Sequence, residues 1–271
     1  SIVIAALALS AGVTEATELT VGDAYARDSG EGLVWTIGTK AIEMTFDGRD
    51  SMFRLVSFVN KTCEPPLEYV DANTAAAPFA LDSEGVVSAA DNAESQWTLK
   101  SAAAQQVASG GRPAVQLDVT LARGDILAYF HVLAFPGTSI LRQWVEFENS
   151  GAQPAGLKSP MAALFRLQGD DAASYTSSFM GGGHASPDQG KMFQAAVTPP
   201  FHQNLIGTAS VGLVPWTALH RAAAPQDGLF IALYYLGTWS LSVDHEAGGP
   251  LTVSAGLPEL KAGTLQPGQK L

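Results

Sequence analysis

The sequence has almost no cysteine. Cys63 stands alone, which excludes an intrachain disulfide framework and any zinc centre built on cysteine. A chain of this size buries enough core to do without either. Charge is scarce as well: Asp, Glu, Lys and Arg make up 15% of the residues, below the roughly 25% usual for soluble domains. Positive charge is the scarcer sign, 15 Lys and Arg against 26 Asp and Glu, for a net charge of −11. A phosphate binder needs a basic stripe that releases counterions. None is present, so nucleic acid is not the main partner. No apolar run reaches the roughly 20 residues of a membrane-spanning helix. Also missing are a Gly-x-Ser-x-Gly elbow, a Walker loop, a dinucleotide fingerprint and the close His–Glu pairing of a metal helix. Neither a cofactor nor a metal is expected. Apolar residues at 46% exclude intrinsic disorder.

What is present starts with an apolar opening. Ile2–Leu9 is followed by Ser10-Ala11-Gly12 and then polar Thr14, Glu15 and Thr17. That order matches the apolar and cleavage regions of a secretory signal without its basic start. The expectation is a secreted or periplasmic protein in which residues 1–31 are a signal remnant and lead-in, packing loosely, with the mature domain starting between about Ala11 and Leu33. Leu265–Leu271 reads as a turn followed by the start of an apolar stretch, so the chain is expected to be a fragment of a longer precursor.

Between the ends, no segment shows the period of a long amphipathic helix. Runs rich in β-branched and aromatic residues recur instead, bounded by Gly, Pro, Asn and Asp: Leu33–Ile37, Ala41–Phe46, Met52–Val59, Gln96–Lys100, Ala114–Leu121 and Ile126–Phe135. They continue with Ile140–Glu148, Met161–Leu167, Leu229–Tyr235, Trp239–Val243 and Leu251–Ala255. Val115, Leu117, Val119 and Leu121 alternate with Gln116, Asp118 and Thr120, which puts one face in a core and the other in water. Arg123-Gly124-Asp125 has the length and composition of a hairpin turn, and Ile126, Ala128, Phe130 and Val132 carry the alternation back. This pattern indicates an all-β, antiparallel sandwich without a composition shift that would divide residues 32–271. Ser101–Arg112, mostly Ala, Gln, Ser and Gly, reads as a short helix or a polar loop. Gly181–Gly190 is the obvious long loop, whose glycines permit unusual backbone angles or close approach to a ligand.

The residues that bear chemistry are scattered. His131, inside an apolar strand, reads as structural. His184, in the Gly-rich loop, and His202, between Phe201 and Gln203, are better placed to face a solute. The acidic pair Asp170-Asp171 points to opposite faces of a strand. Asp244 and Glu246 flank His245 and would share a face, at what reads as a solvated hairpin end. Asn60-Lys61-Thr62 fits a glycosylation sequon. Trp216 and Trp239 stand at loop–strand junctions, where an indole either stacks on the C–H face of a sugar or belongs to the core. Gly237 reads as a bulge that turns Trp239 outward.

Four motifs, Arg142–Gly151, Pro215–Arg221, Gly228–Trp239 and Leu265–Gly268, together resemble the N-terminal domain of family 36 glycoside hydrolases and related α-galactosidase-like (melibiase) proteins. Arg142–Gly151 is similar to an "R-x-W-V-E-x-x-N-x-G" strand and turn. Pro215–Arg221 resembles a strand before a short insertion, and Gly228–Trp239 a "G-x-F-x-x-x-x-x-x-G-x-W" strand. Leu265-Gln266-Pro267-Gly268 matches an "L-x-P-G" turn that leads into a catalytic barrel. Phe53–Asn60 and Pro78–Leu81 fit loosely. Tyr234-Tyr235-Leu236 departs from the usual strand before the tryptophan, and Ser240 replaces an acidic residue.

The resemblance implies a large antiparallel β-supersandwich of the galactose mutarotase-like type over residues 32–271, ahead of a (β/α)8 barrel that holds the catalytic carboxylates. The implied function is a non-catalytic domain that supports carbohydrate binding and packs on that barrel, without catalytic residues of its own. Trp216, Trp239, His184 and His202 are the candidates for pocket-wall, oligomer-interface or polar loop contacts, and the surface could serve a homo-oligomer. Two alternatives stay open: a stand-alone carbohydrate-binding or structural sandwich, and an aldose 1-epimerase-type enzyme, which needs a His acid and a carboxylate base.

Overall fold

The computed structural model describes residues 17–29, 31–82, 97–169, 175–183, 187–221, 224–235, 237–257 and 263–271. The opening run, Asp170-Asp171 and His184 lie outside them. The described residues form twenty strands, two single 3-10 turns and no α-helix. The all-β antiparallel sandwich expected from the alternation is therefore the fold.

The first sheet is a meander of six strands in chain order: β1 (Glu18–Val21), β2 (Ala24–Asp28), β3 (Val34–Gly38), β4 (Ile42–Asp47), β5 (Arg54–Asn60) and β6 (Leu67–Glu68). Because β1 and β2 belong to it and Ala24 and Ala26 are fully buried, the sandwich takes in residues well ahead of position 32. After β7 (Ala80–Asp82) come β8 (Thr98–Ser109), β9 (Arg112–Arg123), β10 (Ile126–Ala134) and β11 (Leu141–Asn149), a second meander ordered β11-β10-β9-β8. The remaining strands are β12 (Ala155–Leu167), β13 (Tyr175–Met180), β14 (Met192–Val197), β15 (Phe201–Thr208), β16 (Trp216–Arg221), β17 (Ala224–Ala232), β18 (Thr238–His245), β19 (Leu251–Gly256) and β20 (Gly263–Leu265). They divide between a sheet ordered β15-β18-β19-β12-β20, with β7 also on β12, and a four-stranded sheet ordered β14-β13-β16-β17.

The core follows the period of two. Val115, Leu117, Val119 and Leu121 of β9 and Ile126, Ala128, Phe130 and Val132 of β10 are all buried, and they pair in continuous antiparallel register around the Gly124-Asp125 turn. Phe46, Phe53, Phe79 and Phe130 meet with centroids 5.5–5.9 Å apart. Such contacts add about 0.5–1.5 kcal/mol each beyond burial.

Ser101–Arg112 is neither helix nor loop. Its residues up to Ser109 belong to β8, which pairs with β9 along its length. Ala102 and Ala104 turn toward the core while Ser101, Ala103 and Gln105 face water. Small and polar residues serve an edge strand because only one weakly apolar face has to be buried.

Candidate interaction surface

Of the four nominated residues, Trp216, Trp239 and His202 are described, and these three do not converge. Trp239 is a correction: it is 0% exposed, and its indole N–H donates to the Ala209 carbonyl. β17, which carries Leu229 and Ile231, and β18, which begins at Thr238, lie in different sheets, so the alternation of the first has no phase relation to Trp239. Within its own strand Trp239 is in step with Leu241 and Val243, and the β15–β18 register runs without a bulge from Thr208↔Thr238 to Phe201↔His245. Gly207 lies opposite the indole, where a Cβ would come within 2.6 Å of the ring. A glycine there makes room for the tryptophan.

Trp216 is half-buried at the start of β16 and packs against the Phe230 ring at 5.2 Å. His202 is in strand β15 rather than a loop, with its side chain 66% exposed. Its Nδ1 lies 3.0 Å from Asp244 and its Nε2 3.1 Å from Glu246. The bond to Asp244 raises its pKa most; burial opposes it, and the charges of Glu246 and Asp244 each add a smaller upward effect. The hairpin end is solvated at Asp244 and Glu246, but His245 between them is buried and bonds the Gly169 carbonyl at 3.1 Å. The glycines of the long loop make close approaches to their own chain: Gly181 bridges Leu213, and a Cβ on Gly182 would meet the Ser210 carbonyl at 2.3 Å.

The Arg142–Gly151 motif divides by parity. Gln143, Phe147 and Asn149 turn inward. Gln143 donates to the carbonyls of Pro78 and Ala162 at 3.0 and 2.7 Å. Asn149 is fully buried and donates to Gln153 and Leu265 at 2.7 and 2.9 Å, while its Oδ1 accepts from Gly151. Its backbone meets Gly268 and Gln269, so the first motif clamps the "L-x-P-G" turn of the last. Arg142, Trp144, Glu146 and Glu148 face outward. There His131 stacks on Trp144 at 4.7 Å and pairs with Asp118, and Arg142 lies 5.6 Å from both the Trp144 and the Tyr234 rings. The Arg142 guanidinium thus lies over the Trp144 ring and beside Tyr234, just past β17.

A buried polar node went unseen in the sequence. Asp227 is 2% exposed and accepts from the Tyr69 hydroxyl and, at 3.2 Å, from Asn60. Arg221 lies 3.9 Å from it, donates to Tyr175 at 3.0 Å and to the Glu68 carbonyl at 3.3 Å. Burial first, then the bond to Asp227, pushes the Tyr69 phenol well above its ordinary range. Asn60, the sequon residue, spends its amide here. The node joins the first sheet to β16 and β17, and at this burial a solute has no access to the Asp227 carboxylate.

The outer face of the β14-β13-β16-β17 sheet carries several exposed apolar side chains. Register places Thr176, Ser178 and Met180 of β13 beside Met192, Gln194 and Ala196 of β14. Ala218 and His220 continue the same rows on β16, with Trp216 at its start, and Gly228, Phe230 and Ala232 on β17 complete the face. Among the described residues it carries no Asp, Glu, Lys or Arg. Phe230 is 62% exposed, Met192 52%, and Tyr234 just beyond the sheet 94%.

No family model matches the sequence, and no curated protein sequence matches it. Solved structures do match in fold. One is the galactosidase domain of the α-galactosidase–sucrose kinase AgaSK, at TM-score 0.71 and 13% identity, covering 91% of this chain and 40% of that one. Another is the GH36 α-galactosidase AgaA of Geobacillus stearothermophilus, at 0.64 and 14%, covering 95% and 39%. A third is the α-galactosidase of Lactobacillus brevis, at 0.64 and 12%, covering 96% and 39%. A variant of AgaA was crystallised with raffinose. The likeness read in the motifs is found again in the fold, and this chain spans about 40% of the length of the enzymes it resembles.

Proposed function

We propose that this chain is a non-catalytic β-supersandwich domain of an exported α-galactosidase-like glycoside hydrolase. Its role is to pack on a (β/α)8 catalytic barrel in the same polypeptide and to support the binding of α-galactosides there. The observation that carries the reading is the coverage: nearly the whole chain superposes on α-galactosidases, yet accounts for about 40% of their length. Glycoside hydrolysis needs two carboxyl groups fixed about 5–10 Å apart across the scissile bond, and that positioning is most of what such an enzyme supplies. On this reading the barrel holds them. Export rests on the apolar opening run.

The test compares lengths. The 271-residue chain is expected to leave an aryl α-galactoside unchanged, and the longest polypeptide that contains it is expected to hydrolyse it. Turnover by the 271-residue chain that disappears on mutating one of its own carboxylates would overturn the reading, as would a reading frame that encodes no barrel.

A further inference from the structure

We infer that the outer face of the β14-β13-β16-β17 sheet is where a second domain of the same polypeptide docks. This rests on the proposed function and adds the place of contact.

Composition is the first argument. The protein carries a net charge of −11, and the outer face of the other four-stranded sheet shows the usual consequence, with Asp118, Arg142, Glu146 and Glu148 in its rows. The β14-β13-β16-β17 face breaks that habit. Met180, Met192, Trp216, Ala232 and Phe230 gather toward one end of it and Thr176, Ser178, Gln194 and His220 fill the rest, with no Asp, Glu, Lys or Arg among its described residues. Single exposed apolar residues are ordinary, but a contiguous apolar patch rimmed by polar residues marks an interaction site. Charge depletion with aromatic and Met enrichment is the composition of an interface core.

Size then selects the occupant. Four strands about 4.8 Å apart and six residues at about 3.3 Å each give a footprint of about 400 Å², or about 800 Å² for both partners. Free-standing complexes usually bury about 1,200–2,000 Å², whereas domains within one chain meet across about 600–1,500 Å². A second copy gains too little from this face to stay bound at ordinary concentrations. A tethered domain arrives at an effective concentration in the millimolar range, where such an area suffices. Arg142 of β11 lies 5.6 Å from the Tyr234 ring at the edge of this face.

Methionine oxidation reads the face directly. Peroxide treatment followed by peptide mass spectrometry is applied to the 271-residue chain and to the longest polypeptide that contains it, with buried Met44 as the internal reference. Met192 is expected to oxidise freely in the short chain and at least tenfold more slowly in the long one, independent of dilution. Phe230→Glu should abolish that protection while the 271-residue chain keeps a cooperative urea transition, with the midpoint lowered only by the lost ring contact with Trp216. Equal Met192 rates in an active α-galactosidase would refute the docking face and leave the proposed function standing. A reading frame without a second domain would remove that function and this occupant together. Protection within the 271-residue chain that fades on dilution would assign the face to a second copy and overturn the inference.

Discussion

Replacing Trp239 by alanine measures whether this indole is core. The side chain is fully buried, packed against the Gly207 backbone and bonded to Ala209. A buried tryptophan removes about 150–250 Å² from water; at about 25 cal/mol per Å² that is about 4–6 kcal/mol. Denatured chains already bury part of this area, which trims the figure by about 10–40%. The result, about 3–5 kcal/mol, coincides with the usual cost of Trp→Ala in a core. Trp239→Phe keeps much of the apolar area and loses the N–H bond, so about 1–2 kcal/mol is expected. Gly207→Ala should also destabilise, because its Cβ would meet the indole at 2.6 Å, and a double-mutant cycle with Trp239→Phe should show coupling of about 0.5–3 kcal/mol. Urea melts of the 271-residue chain, read as midpoint shifts at constant slope, provide all three numbers. A loss below about 1 kcal/mol for Trp239→Ala would refute the reasoning and return the indole to the surface.

Other outcomes follow from the same structure. Asp227→Ala leaves Arg221 without its carboxylate and Tyr69 without its acceptor, and should cost about 3–5 kcal/mol in thermal or urea unfolding; a change within about 0.5 kcal/mol would mean the node is incidental. Asn149→Ala orphans the buried Leu265 carbonyl and frees the turn after it, at about 1–3 kcal/mol per unsatisfied group, with faster amide exchange expected at Gln269 and Leu271. His202 should titrate above 6.5 by NMR, falling toward that value in Asp244→Asn. A raised folded pKa means that its contribution to stability is fully present below about pH 6.5 and is lost as pH rises through the folded value. The exposure of the group keeps that contribution small.

The β9–β10 hairpin was legible because its apolar residues fall on every second position and its turn is a Gly-Asp pair, so period and punctuation agree. Strand β8 was not, since Ala, Ser and Gln pack without a hydrophobic signal and the strand is held by pairing to β9. Trp239 misled because the period of two holds only within one strand, and Leu229 and Trp239 belong to two. The motifs around Arg142 and Leu265 could be named from the sequence, but not that Asn149 joins them. The Asp227 node was invisible because its members are 158 and 167 residues apart. His202, Asp244 and Glu246 could have been grouped once β15 and β18 were known to pair. The uncharged face needed the register of four strands before it existed as a face.

The Asp227 node also sets an order on synthesis. The β1–β6 meander contains only sequential pairings, so it can close as soon as it leaves the ribosome. Tyr69 and Asn60 then wait for a carboxylate made 158 residues after Tyr69, about 8–30 s later at roughly 5–20 residues per second. Throughout that interval Asn60 keeps its local bonds to Thr62, Cys63 and the Tyr69 hydroxyl, water stands in for the missing carboxylate, and the first sheet is a wet template rather than a finished layer. A nascent chain stopped anywhere before Asp227 can hold its hairpins but cannot dry this seam.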